Sequence, residues 1–351
     1  MSHLVRSAAL VAATALLTAC TARETQHSAA TSGGPAASAA ATRAAGPGCS
    51  REQLGYPQID VKTAVIGFSQ SEKEANPFRI AETQSIRDEA AKLGIPTDKL
   101  LVTNAQSDLG KQIGDIKSLL DRGAQLLVVA PLNSDGLQPA LDAAKAKKVP
   151  VITVDRKVNA KPCTDFLTFI GSDFVAQGKR AAEAMAKATG GTGKVAILLG
   201  SSGNNVTTDR TKGFKDNLPA GLRVVAEQTG EFDRSKGQAV MEQLIQSNPD
   251  ITAVYAENDE MGIGAVTALR AAGKTPGKDV KVVSVDGTRN AVQLVADGGY
   301  NAVIESNPRF GPLAFQTLQD FADGKAVPPS VIISDDSYDE SNATAKLGNA
   351  Y

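Results

Sequence analysis

The sequence predicts an α/β protein made of two consecutive βαβ series, each laying down a parallel sheet with helices on both faces. Three observations carry this. Short apolar runs rich in β-branched residues recur from residue 60 onward, with amphipathic stretches between them. The pattern completes one series, passes a linking strand near Leu167–Gly171 and then restarts. The chain has 351 residues, long for a single core, so two domains are the default. Strands alternating with helices give parallel sheets covered on both sides.

The elements follow in order. Val61–Phe68 reads as the first strand. Ile80–Leu93 reads as a helix, with Gly94 as its C-terminal stop. Lys99–Asn104 is strand, Lys111–Arg122 helix closed by Gly123, and Gln125–Ala130 strand ended by Pro131. Leu137–Lys147 is helix and Val149–Val154 strand. After the linking strand come helix Phe174–Thr189, strand Lys194–Leu199, helix Thr208–Asn217 and strand Leu222–Gln228. Helix Ser235–Ser247, strand Ala253–Ala256, helix Gly262–Ala272 and strand Val280–Val285 complete the second series, with a further strand at Ala302–Ile304.

The segment before residue 60 reads differently. Met1–Cys20 has a basic start at Arg6 and a short apolar stretch from Ala8 to Leu17, the pattern of a secretory signal. It is too short to span a bilayer as a mature helix. Its end, Leu17-Thr18-Ala19-Cys20, resembles the lipobox of bacterial lipoproteins, in which the cysteine carries lipid. The alternative is an ordinary signal with an incidental cysteine. Residues 21–58 are expected to be a flexible tether, because Thr21–Pro47 is dominated by Ala, Ser, Thr and Gly and has little to bury. The two other cysteines, Cys49 and Cys163, are expected to pair in the oxidising compartment that export implies. Two separate buried thiols are the alternative.

Composition removes several functions. The net charge of -1 offers nothing for nucleic acid held by counterion release. Both histidines, His3 and His27, precede the folded part, so the commonest general base is missing there. Ser201 and Ser202 then have nothing to activate them. Gly262-x-Gly264 lacks the third glycine of a dinucleotide loop, and Gly190-Gly191-Thr192-Gly193-Lys194 runs into Val195 where a P-loop needs Ser or Thr. No metal and no cofactor is expected. The run Asp335–Glu340 reads as a solvated terminus, with calcium binding as the alternative.

In doubly wound sheets the ligand site lies outside the carboxyl ends of the strands. Those positions here hold a long polar loop, Gly67–Arg79, then Asp155-Arg156, Gly200–Asn205 with Arg210 beyond, Glu231–Arg234, Glu257-Asn258-Asp259, Asp286-Gly287 and Glu305-Ser306-Asn307. Carboxylates accept from hydroxyls, Arg donates in a fork and Asn does both. Phe78 and Phe232 supply flat apolar faces. Together, Phe78, Asp155, Arg156, Arg210, Phe232, Asn258 and Asp286 suit a sugar, with hydroxyls at its edge and C–H bonds on its face. The local alternative for each acid or amide is a helix cap.

Several of these motifs stand in a familiar order: Val154-Asp155-Arg156, Asp209-Arg210-x-Lys212-Gly213-Phe214, Phe232-Asp233-Arg234-Ser235-Lys236-Gly237, Glu257-Asn258-Asp259-Glu260-Met261 and Val285-Asp286-Gly287. From about residue 60 to 351 the chain resembles the ribose-type (type 1) periplasmic binding proteins, the solute receptors of bacterial ABC sugar importers. Gly67-Phe68-Ser69-Gln70 with Phe78-Arg79-x-Ala81-Glu82 is most similar to the galactofuranose-binding members, which carry Trp-Arg where this chain has Phe78-Arg79. Asn76-Pro77-Phe78 resembles ribose receptors instead.

The resemblance implies two Rossmann-like lobes joined by a three-strand hinge. One lobe would hold 59–171 plus 306–333 and the other 172–305 plus 334–351. It implies capture of a monosaccharide by hinge closure and delivery to the permease of an ABC transporter, with no reaction catalysed. Phe78 and Phe232 would flank the ring, and Asp155, Arg156, Arg210, Asn258 and Asp286 would bind hydroxyls. Arg79 would join in the galactofuranose manner, and Glu305 and Asn307 lie in the returning strand. The protein would be exported, monomeric, and lipid-anchored through Cys20 to the outer face of the cytoplasmic membrane. A sensor presenting bound sugar to a membrane kinase or chemoreceptor is the second reading. A repressor of this fold needs a helix-turn-helix where this chain has a signal peptide.

Overall fold

The computed structural model describes residues 40–44 and 47–351. The signal segment Met1–Cys20, the lipidation candidate Cys20, both histidines and the tether up to residue 39 lie outside the described residues.

In chain order the elements are β1 (Ala41–Arg43), α1 (Arg51–Leu54), β2 (Ile66–Gln70), α2 (Pro77–Lys92), β3 (Leu100–Asn104), α3 (Leu109–Asp121), β4 (Leu126–Val129), α4 (Gln138–Ala146), β5 (Val151–Val154) and β6 (Thr168–Ser172). They continue with α5 (Phe174–Thr189), β7 (Gly193–Leu199), α6 (Asn205–Asp216), β8 (Leu222–Thr229), α7 (Arg234–Ser247), β9 (Ala253–Ala256), α8 (Asp259–Ala271) and β10 (Lys281–Asp286). The last are α9 (Arg289–Ala296), β11 (Ala302–Glu305), α10 (Gly311–Ala322), β12 (Ser330–Ile333), β13 (Ser337–Asp339) and α11 (Ala343–Lys346).

Two sheets result. A seven-stranded sheet runs β1-β12-β6-β5-β4-β2-β3 and a six-stranded one runs β13-β11-β10-β9-β7-β8. All pairings are parallel except two at sheet edges, β1 on β12 and β13 on β11. Strands β2, β4, β5 and β6 are buried throughout, as parallel strands covered on both faces must be. The chain passes between the sheets three times: after β6, between β11 and α10, and between β12 and β13.

Four expectations need correction. The first strand begins at Ile66 rather than Val61, because Asp60 builds a turn. Its side chain accepts from Lys62 N at 3.0 Å and from the Thr63 hydroxyl, and its carbonyl accepts from Ala64 N at 2.9 Å. The second series' second helix starts at Asn205, three residues before Thr208, because Asn204 caps it. The tether does not run to residue 58. Ala41–Arg43 adds an antiparallel edge to β12, Ser50 and Gln53 form a capping box on α1, and Cys49 is buried in a disulfide with Cys163, Cα–Cα 5.5 Å. The run Asp335–Glu340 is not a solvated terminus. Ser337–Asp339 is a strand, Tyr338 is buried, and Asp335 accepts from Ser172 Oγ at 3.0 Å and Gln177 Nε2 at 2.8 Å.

Candidate ligand-binding site

The carboxyl ends of both sheets face one cleft. Its inner cavity lies between Glu72, Asn76, Phe78, Arg79, Asp155 and Arg156 on the first sheet's side and Val206, Arg210, Phe232, Asn258 and Asp286 on the second's. A wider vestibule opens outward from it, sharing Glu72, Asn76 and Phe232. The cleft is closed: Asn76 Nδ2 donates to Phe232 O at 3.4 Å, Ser134 N to Gly203 O at 2.9 Å, and Lys157 N to Asn205 Oδ1 at 2.9 Å.

Local sequence explains how each side chain is aimed. Asn76 caps α2 with Pro77 behind it, so Phe78 and Arg79 emerge from the first helical turn. Asn258 caps α8 and also donates to Phe232 O at 3.1 Å, so the cap and the cavity wall are one residue. Asp155, Glu231, Phe232 and Asp286 are non-glycine residues at positive φ, of 63°, 53°, 60° and 142°. At Asp155 the chain turns within three residues, Arg156 N donating to Val154 O at 2.7 Å. Each such residue costs about 1–3 kcal/mol, a strain that collects at functional sites. The Phe232 ring packs on Gly200, where any Cβ would collide with it.

The wall charges are paired among themselves. Arg79 is buried and holds three carboxylates: Glu72 at 3.0 Å, Glu82 at 2.8 Å and Asp155 at 2.7 Å. Arg156 binds Glu72 at 2.8 Å and donates to Leu132 O at 2.9 Å. Arg210 donates through Nε to Gln177 at 2.9 Å and through Nη1 to Glu257 O, and lies 3.6 Å from Asp286. The guanidiniums also cover rings: Arg79 stands 5.0 Å from the Phe78 centroid, and Arg156 reaches across the cleft to 5.8 Å from that of Phe232. Burial would raise the Glu72 carboxyl, yet the charges of Arg156 and Arg79 outweigh it and hold it at about 2. Burial pushes Asp286 well up against the opposing pull of Arg210. Burial also lifts Glu82 behind Arg79, and raises Glu257 to about 7 against its hydrogen bonds and the weaker pull of Arg210.

Eight of the ten residues expected to bind ligand line this cavity: Phe78, Arg79, Asp155, Arg156, Arg210, Phe232, Asn258 and Asp286. Glu305 and Asn307 do not. The Glu305 carboxylate accepts from Asp336 N at 2.8 Å, and Asn307 accepts from Arg309 N at 2.9 Å, so both serve the crossings between the sheets. The sequence reading missed Glu72, Asn76 and Val206 as wall residues. Among the described residues no group of three or more His, Cys, Asp or Glu is arranged to hold a metal ion.

Two α/β units closing on a small polar cavity at the carboxyl ends of their strands have the architecture of a hinged binding protein. The chain belongs to the periplasmic binding protein family, whose domain profile matches residues 66–326. It is 36% identical over 271 residues to the ribose import binding protein of Bacillus subtilis (strain 168), covering 77% of this chain and 85% of that one. It is 33% identical over 276 residues to the galactofuranose-binding protein of Escherichia coli (strain K12), covering 77% and 85%. Among solved structures it resembles the binding component of the arabinose ABC transporter from Shewanella sp. ANA-3, bound to α- and β-L-arabinofuranose. That match has a TM-score of 0.77 and 33% identity over 81% of this chain and 94% of that one.

Proposed function

We propose that this protein is an exported receptor that captures one uncharged sugar, a pentose or a furanose-form hexose, and delivers it to an ABC-transporter permease. The observation that carries this is the charge balance of the cavity. Glu72 and Asp155 face Arg79 and Arg156 at 2.7–3.0 Å, and Asp286 lies 3.6 Å from Arg210. An ion entering would break pairs that are buried and costly to separate. A polyol leaves them intact and exchanges hydrogen bonds with their free oxygens and N–H groups. Phe78 and Phe232 are buried at opposite walls and offer faces to its C–H bonds. The names of the relatives, which specify ribose, galactofuranose and arabinofuranose, support the same class.

In this reading the two sheets belong to lobes that rotate about the three crossings, opening to admit sugar and closing to bury it. Cys20 would carry the lipid that holds the receptor at the membrane, and one copy would act alone. The test is a thermal-shift screen of D-ribose, L-arabinose, D-galactose and D-fucose, with D-galacturonate and D-glucosamine as charged controls. A neutral sugar at 100 times its Kd should stabilise the protein by about 2.7 kcal/mol, and Asp155→Ala should abolish the shift. No shift with any neutral sugar, or a larger one with a charged control, would overturn the proposal.

A further inference from the structure

Gln177 has no place in the cavity, yet it is almost fully buried, at 1% exposure on α5, and it touches the cavity's arginine. Its Oε1 accepts from Arg210 Nε at 2.9 Å. Its Nε2 donates to Asp335 Oδ2 at 2.8 Å and to Glu305 O at 3.3 Å. Asp335 stands in the third crossing between the sheets. Its other oxygen accepts from Ser172 Oγ at 3.0 Å, at the first crossing, and from Asn307 N at 3.2 Å, in the second. One amide therefore joins a wall residue of the cavity to all three connections about which the lobes would turn.

We infer that Gln177 is a positioning residue that fixes Arg210 for ligand and couples it to the hinge through Asp335. The chemistry allows no other assignment of its two atoms. Reversing the amide would set NH₂ against the guanidinium and oxygen against the carboxylate, two mismatches at once. Of the remaining Arg210 contacts, Glu257 O lies within the same lobe, the Phe174 ring at 5.6 Å follows the first crossing by two residues, and Asp286 at 3.6 Å meets the second through its backbone, Ser306 N donating to Asp286 O at 2.8 Å. Gln177 alone links the guanidinium by side-chain hydrogen bonds to Asp335 and through it to all three crossings, a route by which rotation at the hinge is felt at the arginine. A ligand that holds Arg210 in its closed position then favours the hinge geometry that Asp335 organises. This rests on the sugar-receptor reading for its ligand, but the link itself is visible without one.

The test uses the complementary pair Gln177→Glu and Asp335→Asn in the full chain at pH 8. Gln177→Glu keeps an acceptor for Arg210 and sets a second carboxylate against Asp335. Adding Asp335→Asn returns a donor there while keeping the oxygen that accepts from Ser172 and Asn307. Two readouts are taken: calorimetric affinity for whichever of D-ribose, L-arabinose, D-galactose or D-fucose the wild type binds, and amide exchange at residues 306–310 and 334–336 without sugar. Gln177→Glu should weaken binding about 10-fold or more and speed exchange at those crossings. The double variant should return affinity to within about 3-fold of wild type and restore the exchange rates. A single variant that binds and exchanges like wild type, or a double variant that restores neither, overturns the inference while the receptor reading stands. If the wild type binds none of the four sugars, the receptor reading falls and the exchange rates alone decide the inference.

Discussion

Glu257→Gln should stabilise this protein at pH 8 and do little at pH 5. Glu257 is wholly buried behind the cavity. One carboxylate oxygen accepts from Gly200 N at 2.7 Å, the other from the Thr211 hydroxyl. Burial still dominates these hydrogen bonds and the more distant Arg210, and raises the group from an ordinary 4.5 to about 7. The unfolded carboxyl therefore loses its proton near 4.5 while the folded one keeps it to about 7. The folded state binds the extra proton in between, so stability falls as pH climbs through that window and stays low above it. At about 1.4 kcal/mol per pH unit the loss is about 3 kcal/mol. A glutamine cannot titrate, still accepts from Gly200 N and can donate to Thr211. Guanidinium unfolding of both proteins at pH 5 and pH 8 measures the difference. The effect of the substitution should be about 2–3 kcal/mol more favourable at pH 8. An effect of equal size at both pH values would refute the reasoning, since a change in packing alone does not depend on protonation.

Two further outcomes follow from the same geometry. Arg79→Met removes the cation shared by Glu72, Glu82 and Asp155, leaving only Arg156 beside Glu72 and Asp155, and should cost about 3–5 kcal/mol in denaturant unfolding at pH 7.5; adding Glu82→Gln should recover part of it, and a variant as stable as wild type would show that the cluster needs no central charge. Replacing Cys49 and Cys163 with Ser opens a loop spanning 114 residues and should cost about 2–4 kcal/mol, read as a melting temperature that no longer responds to dithiothreitol.

The sheets were legible because parallel strands buried on both faces must be continuously apolar, as Leu126–Val129 and Val151–Val154 are. The two antiparallel edge strands were not. Ala41-Thr42-Arg43 is exposed along its whole length, so it carries no burial pattern and holds its place by backbone hydrogen bonds and by the disulfide that follows it. Ser337-Tyr338-Asp339 alternates, but one buried tyrosine among acids gives too little signal over three residues. Length also misled at Val61, where apolar residues precede β2 but Asp60 captures the backbone for a turn before the sheet begins.

The cavity was legible for a different reason. A doubly wound sheet places its ligand beyond the strand ends, so a polar residue directly after an apolar run is already positioned. That rule finds Asp155, Arg156, Asn258 and Asp286 without any structure. It fails for Glu72 and Asn76, which sit in a long loop whose path no periodicity fixes, and it misassigns Glu305 and Asn307. Glu305 ends β11 as Asp286 ends β10, and Asn307 stands two residues on, but β11 leads straight into a crossing. There the backbone must be held across the gap between lobes, and Glu305 accepts from Asp336 N instead of facing the cavity. Which strand ends face ligand and which carry the hinge depends on where the chain changes sheets, and that is set by strand order, a property of pairing between segments more than a hundred residues apart, such as β6 with β12.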